Sequence, residues 1–332
     1  LPAEARGNKS EPTIDDLQTL FALNTTANGK LSDATWLARF KLHCRQVARY
    51  RDDRVFLAGD AAHIHSPLGG QGMNTGIQDA CNLAWKLALV ARGDGRENPL
   101  LDSYDGERRA VGAEAIEHSG VLTRMANLPG AIGRSIRDQV VSIVGGLVPI
   151  QSRAVEMLAG TGIAYPDSPI SGEYRGAMAW LMGGVESGSR MPDATLVELA
   201  DGPSEPARVP FVDLLRSGRH LLLLFTAELP GDDVIDHLDG IATSILGRFE
   251  GLVDAFLVTP SPLDDGAPRT LISPSPTARR LGDPSGLLHL AVGAGAPTLL
   301  LVRPDGHLGF RAQPADREPL LAHLDRCLVA RG

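Results

Sequence analysis

The residues best placed to do chemistry lie between positions 54 and 74. They read Arg54-Val55-Phe56-Leu57-Ala58-Gly59-Asp60-Ala61-Ala62-His63, then Pro67, then Gly69-Gly70-Gln71-Gly72-Met73-Asn74. The apolar run Val55 to Ala58 reads as a buried strand that stops at a glycine able to turn close to a ligand. Asp60 would then stand at the carboxyl end of that strand, where open α/β sheets place their ligands and where a carboxylate can accept hydrogen bonds from sugar-like hydroxyls. The glycines at 69, 70 and 72 lead into a helix. Its free amino-terminal N–H groups and partial positive charge favour an anionic group, such as a pyrophosphate or a reduced flavin ring. By spacing alone a second reading stands beside this one, a glycine-rich helix start with a capping carboxylate.

The spacing excludes two common phosphate loops. No Gly-Lys-Ser/Thr follows, so the stretch is not a P-loop, and Gly70, Gly72 and Gly76 miss the G-x-G-x-x-G spacing by one residue. His63 and His65 form an H-x-H pair that could suggest a metal, but no third ligand lies nearby, so packing is the preferred role for His63 and no metal is expected.

The elements that must position these residues follow from periodicity. A helix is predicted over 12–23, with Asp15 and Asp16 in its first turn and Leu17, Leu20 and Phe21 at helical spacing. Residues 36–45 alternate. Trp36, Ala38, Phe40, Leu42 and Cys44 share one face, and the polar face ends in Arg45. That polar face either lines a substrate cavity or is simply solvated. A helix is predicted over 74–92, with Ile77, Ala80, Cys81, Ala84, Leu87 and Ala88 on one side, and a second over 99–119 with Pro99 in its first turn. Further helices are suggested over 121–160, broken near Pro129 and Gly145-Gly146. Residues 161–194 are rich in Gly and Pro, which places a domain boundary near Ser187. Beyond it, strands at 221–225, 255–259, 299–302 and 308–312 alternate with helices at 232–249 and 316–329, the pattern of a small α/β domain.

Composition narrows the class. The chain has 332 residues, 43% apolar and 22% charged, which suits two globular domains. A net charge of −8 gives no footprint for nucleic acid and no polybasic membrane patch. Its three cysteines, Cys44, Cys81 and Cys327, form no C-x-x-C and suit free thiols in a reducing cytoplasm. The chain opens at Leu1 without a signal-peptide pattern, which reads as a truncation, a cleavage product or an incomplete chain.

The stretch from Arg54 to Leu89 resembles the second FAD motif of the flavoprotein aromatic hydroxylases (class A flavoprotein monooxygenases), in the branch acting on phenols and polyketides. The resemblance runs through R-V-F-L-A-G-D-A-A-H and G-G-Q-G-M-N into a helix carrying Asp79, Asn82, Leu83 and Trp85-Lys86-Leu87. It implies an α/β chain: part of the FAD-binding hydroxylase fold over 1–186, then a thioredoxin-like α/β domain over 187–332. Gly188 to Asp193 resembles the start of that domain, and Leu301 to His307 its terminal strand and turn.

The resemblance also implies roles. Asp60 would bind the ribityl chain of FAD, with Gly59 giving it room. Pro67 would pass beside the isoalloxazine. Gly70, Gln71, Gly72, Met73 and Asn74 would present N–H groups to the pyrimidine edge of the flavin. The implied reaction hydroxylates a phenolic or polyketide aromatic substrate with NAD(P)H, NADPH or NADH, and O2, in a site that excludes water. No general base is implied; Arg45 and Pro67 are the only catalytic candidates. The usual Arg-Pro pair of the family's next helix is Arg109-Ala110 here. The family's G-x-G-x-x-G and its middle Asp-Gly motif are not found, so the chain alone is expected to lack about half of the flavin contacts and to be inactive. The alternative is a non-catalytic interaction protein that uses the thioredoxin-like domain to oligomerise, and a homodimer fits either reading.

Overall fold

The computed structural model describes residues 11–25, 27–38, 43–67, 70–126, 156, 160–176, 183–199, 207–227, 230–260 and 278–331. Contacts divide the chain into two units, Leu1–His43 and Cys44–Gly332.

The first unit carries helix α1, Ile14–Asn24. Thr13 starts it with a capping box: its hydroxyl accepts from the N–H of Asp16, whose carboxylate accepts from the N–H of Thr13. Gln18 then ties the following loop down, donating to the Gly29 carbonyl and accepting from the Leu31 N–H. The strand expected over 36–45 is not found among the described residues. Trp36, assigned to its buried face, is 81% exposed. Positions 36–38, 43 and 44 have no ladder partner, and 39–42 lie outside the described residues. Without a neighbour to satisfy its backbone, an alternating pattern does not make a strand.

The second unit begins with four two-residue strands. β1 (Arg45–Gln46) pairs antiparallel with β4 (His63–Ile64), and β2 (Arg51–Asp52) pairs antiparallel with β3 (Val55–Phe56). The buried strand expected over 55–58 is thus only two residues long and Val55 is 64% exposed. It is flanked on one side alone, and a strand is buried on both faces only inside a covered sheet. Two antiparallel helices follow, α2 (Gly72–Ala91) and α3 (Glu97–Ala126). The helices expected beyond them fall outside the described residues, apart from the isolated Glu156.

The rest of the unit is an eight-stranded sheet. Its strands are β5 (Gly172–Arg175), β6 (Thr195–Glu198), β7 (Ala207–Pro210), β8 (His220–Phe225), β9 (Val253–Pro260), β10 (Arg279–Asp283), β11 (Thr298–Val302) and β12 (Leu308–Gln313), in the order β5-β12-β11-β8-β9-β10-β6-β7. Helices α4 (Phe211–Leu214), α5 (Asp232–Arg248), α6 (Leu287–Val292) and α7 (Arg317–Cys327) connect or cover them. β8 and β9 are parallel, joined through α5; β11 is antiparallel to both β8 and β12.

β8 shows why this sheet forms. Its sequence His-Leu-Leu-Leu-Leu-Phe is buried at every position. Leu222 and Leu224 enter one apolar cluster with Ile235, Leu238, Ile241 and Ile245 of α5, whereas Leu221, Leu223 and Phe225 enter a second cluster on the other face. A strand in mid-sheet must be apolar on both sides, so the alternation disappears. Trp85 and Leu89 of α2 and Leu100 of α3 belong to the first of these clusters, so the helix pair and the sheet share one core. One strand, β5, comes from before position 187 and pairs with β12 in parallel. Sequence reading finds no strand there because the run Gly-Glu-Tyr-Arg has no apolar period.

Two histidines sit deep in this assembly. Burial, with the nearby charge of Arg303, pushes His220 down to about 4. Burial, with the charge of Arg326, pushes His323 down to about 3. The unfolded chain therefore takes up these protons first, near 6.5. The stability that depends on keeping them neutral is complete above that pH. It is lost as pH falls through about 4 and then about 3. Urea midpoints measured from about pH 7.5 down to pH 5 should fall steadily, by linkage about 1.4 kcal/mol per histidine per pH unit below 6.5. A flat profile over that range would show that neither histidine titrates on unfolding.

Candidate cofactor site

Gly59 opens a 3-10 turn, Gly59–Ala61, that packs on the start of α2. It has φ of +58°, and a Cβ there would point at Gly76 of α2, whose own Cβ would stand 3.4 Å from the Gly59 Cα. The two glycines let the turn and the helix touch backbone to backbone. Asp60 in that turn is exposed, and among the described residues its carboxylate has no hydrogen-bond or ion-pair partner.

The turn is held from below by a different acid. Asp79, fully buried on α2, accepts the Gly59 N–H at 2.9 Å, His63 Nε2 at 2.9 Å and Arg108 Nε at 2.6 Å. Burial alone would raise its pKa, but the hydrogen bond from His63, the charge of Arg108 and the Gly59 N–H together hold the carboxyl below its usual range. Arg108, on α3, also donates to the Tyr165 hydroxyl at 2.7 Å and to the Thr75 carbonyl at 3.1 Å. Tyr50 stacks on His63, and its N–H donates to Asp105. His63 is thus committed to Asp79, and its neighbour His65 donates to the Ser66 carbonyl through Nδ1.

The start of α2 is open. Gln71 caps it with no side-chain hydrogen bond to the first turn, and no acidic side chain lies in that turn. The first N–H groups of a helix have no partner within it, so those of Gly72, Met73 and Asn74 face outward. Met73 is 75% exposed. Gly70 has φ of +65° with open space around it, and its N–H closes a turn on the Pro67 carbonyl. Gln71 and Asn74 line a cavity of about 390 Å3 between α2 and α3, shared with Gln78, Glu114 and His118. Gly69 lies outside the described residues. Arg45 is exposed on β1 opposite Ile64, with no side-chain partner. The structure thus brings Gly59, Asp60 and residues 70–74 to neighbouring parts of one turn–helix junction, with Arg45 on the strand that pairs beside His63.

The comparisons bear on this junction. Residues 2–119 match a family described as the FAD binding domain. A 6-methylpretetramide 4-monooxygenase of Streptomyces rimosus is 33% identical over 303 residues, which are 89% of this chain and 48% of that protein. A rifampicin monooxygenase of Streptomyces venezuelae is 44% identical over 133 residues, 39% of this chain and 28% of that protein. Among solved structures, the OxyS anhydrotetracycline hydroxylase of Streptomyces rimosus superposes with a TM-score of 0.64 at 26% identity, covering 96% of this chain and 53% of that one. Residues 2–119 of the chain thus resemble an FAD binding domain, and most of the chain is similar to FAD-dependent aromatic monooxygenases. The chain spans 48% of the Streptomyces rimosus 4-monooxygenase and 53% of the OxyS chain, about half the length of each.

Several residues that shape this turn–helix junction escape sequence reasoning. Asp79 belongs to the recognised motif, yet nothing in its spacing marks it as the group that holds Gly59. Arg108 and Glu107 look like ordinary surface charges on α3 but are both buried. The available signal is weak: Asp79 and Arg108 fall on the core-facing stripes of their helices, where a charge is stable only when paired. Among the described residues no group of three potential ligands could hold a metal, and no helix is long and apolar enough to cross a membrane.

Proposed function

We propose that this chain supplies the ribityl- and pyrimidine-facing part of an FAD-dependent monooxygenase that hydroxylates a phenolic or polyketide aromatic substrate, using NAD(P)H and O2. The observation that carries the reading is the start of α2, with no acidic side chain in its first turn, beside the glycine-built turn at Gly59. Asp60, exposed and unpartnered, would accept hydrogen bonds from ribityl hydroxyls. Gly72, Met73 and Asn74 would aim N–H groups and the helix dipole at the acceptor edge of the flavin, with Gly70 and Gln71 forming the turn that leads into them. Pro67, whose carbonyl fixes the turn at Gly70, would flank the ring. When bound, FAD takes electrons from NAD(P)H and activates O2 for insertion into the aromatic ring. The chain itself binds, orients and shields the cofactor; no side chain here is assigned a proton transfer, and Arg45 remains the one polar candidate beside the site.

The carboxyl-terminal part, 187–332, is read as thioredoxin-like. Support comes from its central order β12-β11-β8-β9, with a parallel β8-α5-β9 unit and an antiparallel β11-β12 hairpin followed by α7. It carries no C-x-x-C, so a structural or homodimer-forming role suits it. The three free cysteines agree with a reducing cytoplasm.

Titrating the purified chain with FAD while recording its visible spectrum tests the reading. A resolved, shifted flavin band that saturates is expected. A spectrum identical to free FAD at every ratio would overturn it. Where binding is measured, Asp60→Ala should weaken it by about 1.5–3 kcal/mol through lost charge-assisted hydrogen bonds. Unchanged affinity would remove Asp60 from the site.

A further inference from the structure

Arg303 lies just after β11, far along the chain from the cofactor turn. Its guanidinium grips Glu107 of α3 with both arms, Nη1 to Oε1 at 2.7 Å and Nη2 to Oε2 at 3.0 Å. Asp305, which accepts from Trp85 Nε1 at 3.0 Å, also accepts from Arg303 at 2.5 Å. Glu107 is further held by Lys86 Nζ at 2.8 Å, by Asn82 Nδ2 at 2.6 Å and by the Ser168 hydroxyl. All five of its donors are thus fixed by packed elements.

The next residue on α3 is Arg108. Consecutive helix residues point about 100° apart, since a turn holds 3.6 residues. Glu107 therefore meets Arg303 before the β11–β12 turn as well as Asn82 and Lys86 of α2, while Arg108 meets Asp79, about a turn earlier on α2. A second route runs through Tyr165. Its ring lies under the Arg303 guanidinium at 5.4 Å, its hydroxyl accepts from Arg108 at 2.7 Å, and His307 packs against it at 4.6 Å. Both routes converge on Arg108, then Asp79, then the N–H of Gly59.

We propose that Arg303 is a positioning residue for the 59–63 cofactor turn, acting through Glu107 and Tyr165 on Arg108, and through Arg108 and Asp79 on Gly59. The physical reason is that every link is buried and charged or hydrogen-bonded. Removing Arg303 leaves Glu107 and Asp305 facing each other without their shared cation. The least costly relief turns α3 so that Glu107 moves toward solvent, and that motion carries Arg108 off Asp79. The carboxyl-terminal sheet thus sets the stiffness of a turn it does not touch. That the turn holds a cofactor rests on the function proposed above; the coupling itself does not.

Amide hydrogen exchange of the ligand-free chain tests the coupling without FAD. Arg303→Met is compared with Leu301→Ala, a cavity in the same sheet that removes no charge or hydrogen bond of the relay, under conditions where the two variants have equal global stability. The Gly59 amide is expected to exchange about tenfold or more faster in Arg303→Met than in Leu301→Ala. Equal protection of Gly59 in the two would overturn the proposal. Should Arg303→Met fail to fold, Arg303→Lys decides by the same comparison, since it keeps the charge and loses the two-armed grip. The FAD titration is scored separately: loss of flavin binding with intact coupling would reject the function and keep the relay.

Discussion

Glu107→Gln is expected to lower the unfolding free energy by about 3–5 kcal/mol, the cost of breaking a buried ion pair by removing one partner. The carboxylate is 4% exposed and faces two cations, Arg303 and Lys86. With glutamine in its place Arg303 keeps Asp305, but Lys86 is left buried with only Asn82. Lys86 is already strained in this sense: burial pushes it down to about 8, against the attraction of Glu107. Urea unfolding checks the expectation, with a lower midpoint and an unchanged slope. An acid signature accompanies it. Burial favours the neutral form of Glu107, but Arg303 and Lys86 outweigh it and hold the group at about 2. A lowered folded-state value contributes stability that is present above the unfolded value near 4.5 and lost as pH falls toward about 2. Wild-type stability should therefore decline across that window, and Glu107→Gln should remove most of that part of the decline. A variant as stable as the parent, with the same acid profile, would show the network to be energetically idle.

How much of this was legible in the sequence depends on whether a residue acts through period or through distance. β8, α5, β9, β11, β12 and α7 all stand close to their predicted places, because each carries its own apolar run or helical stripe. α2 and α3 were legible for the same reason, though α3 runs on to Ala126 because nothing breaks it at 119. β5, β6, β7 and β10 were not: they are short, carry no sustained apolar run or alternation, and exist because a neighbouring strand offers a ladder. The 36–45 run shows the converse, a strand-like period of which, among the described residues, only Arg45 joins a ladder. At the site, the glycines and Asp60 were legible because they form one contiguous motif. The group that holds them was not. Asp79, Arg108, Glu107 and Arg303 are separated by up to 196 positions between contacting pairs, and only the fold brings them together.

The two aspartates of the site should separate cleanly under mutation. Asp79→Asn is expected to cost about 3–5 kcal/mol of stability, because it leaves the buried Arg108 without its carboxylate. Geometry adds to charge. The Asp79 carboxylate accepts three donors with its two oxygens, one from Gly59, one from His63 and one from Arg108. An asparagine offers one oxygen and two further donors, so whichever way it turns, a donor meets a donor. If the amide oxygen goes to Arg108, the Gly59 N–H and His63 face an NH2, and the 59–63 turn is released from α2. If it goes to the turn, Arg108 is unpaired. Asp60→Asn should instead leave stability within about 0.5 kcal/mol, since its side chain is exposed and forms no hydrogen bond or ion pair among the described residues. Its effect should appear only when FAD is added. Thermal unfolding with and without FAD distinguishes the two roles: one acid builds the turn, and the other is presented by it. If Asp60→Asn proves as destabilising as Asp79→Asn without ligand, then Asp60 is part of the fold, and the case for it as a cofactor ligand collapses.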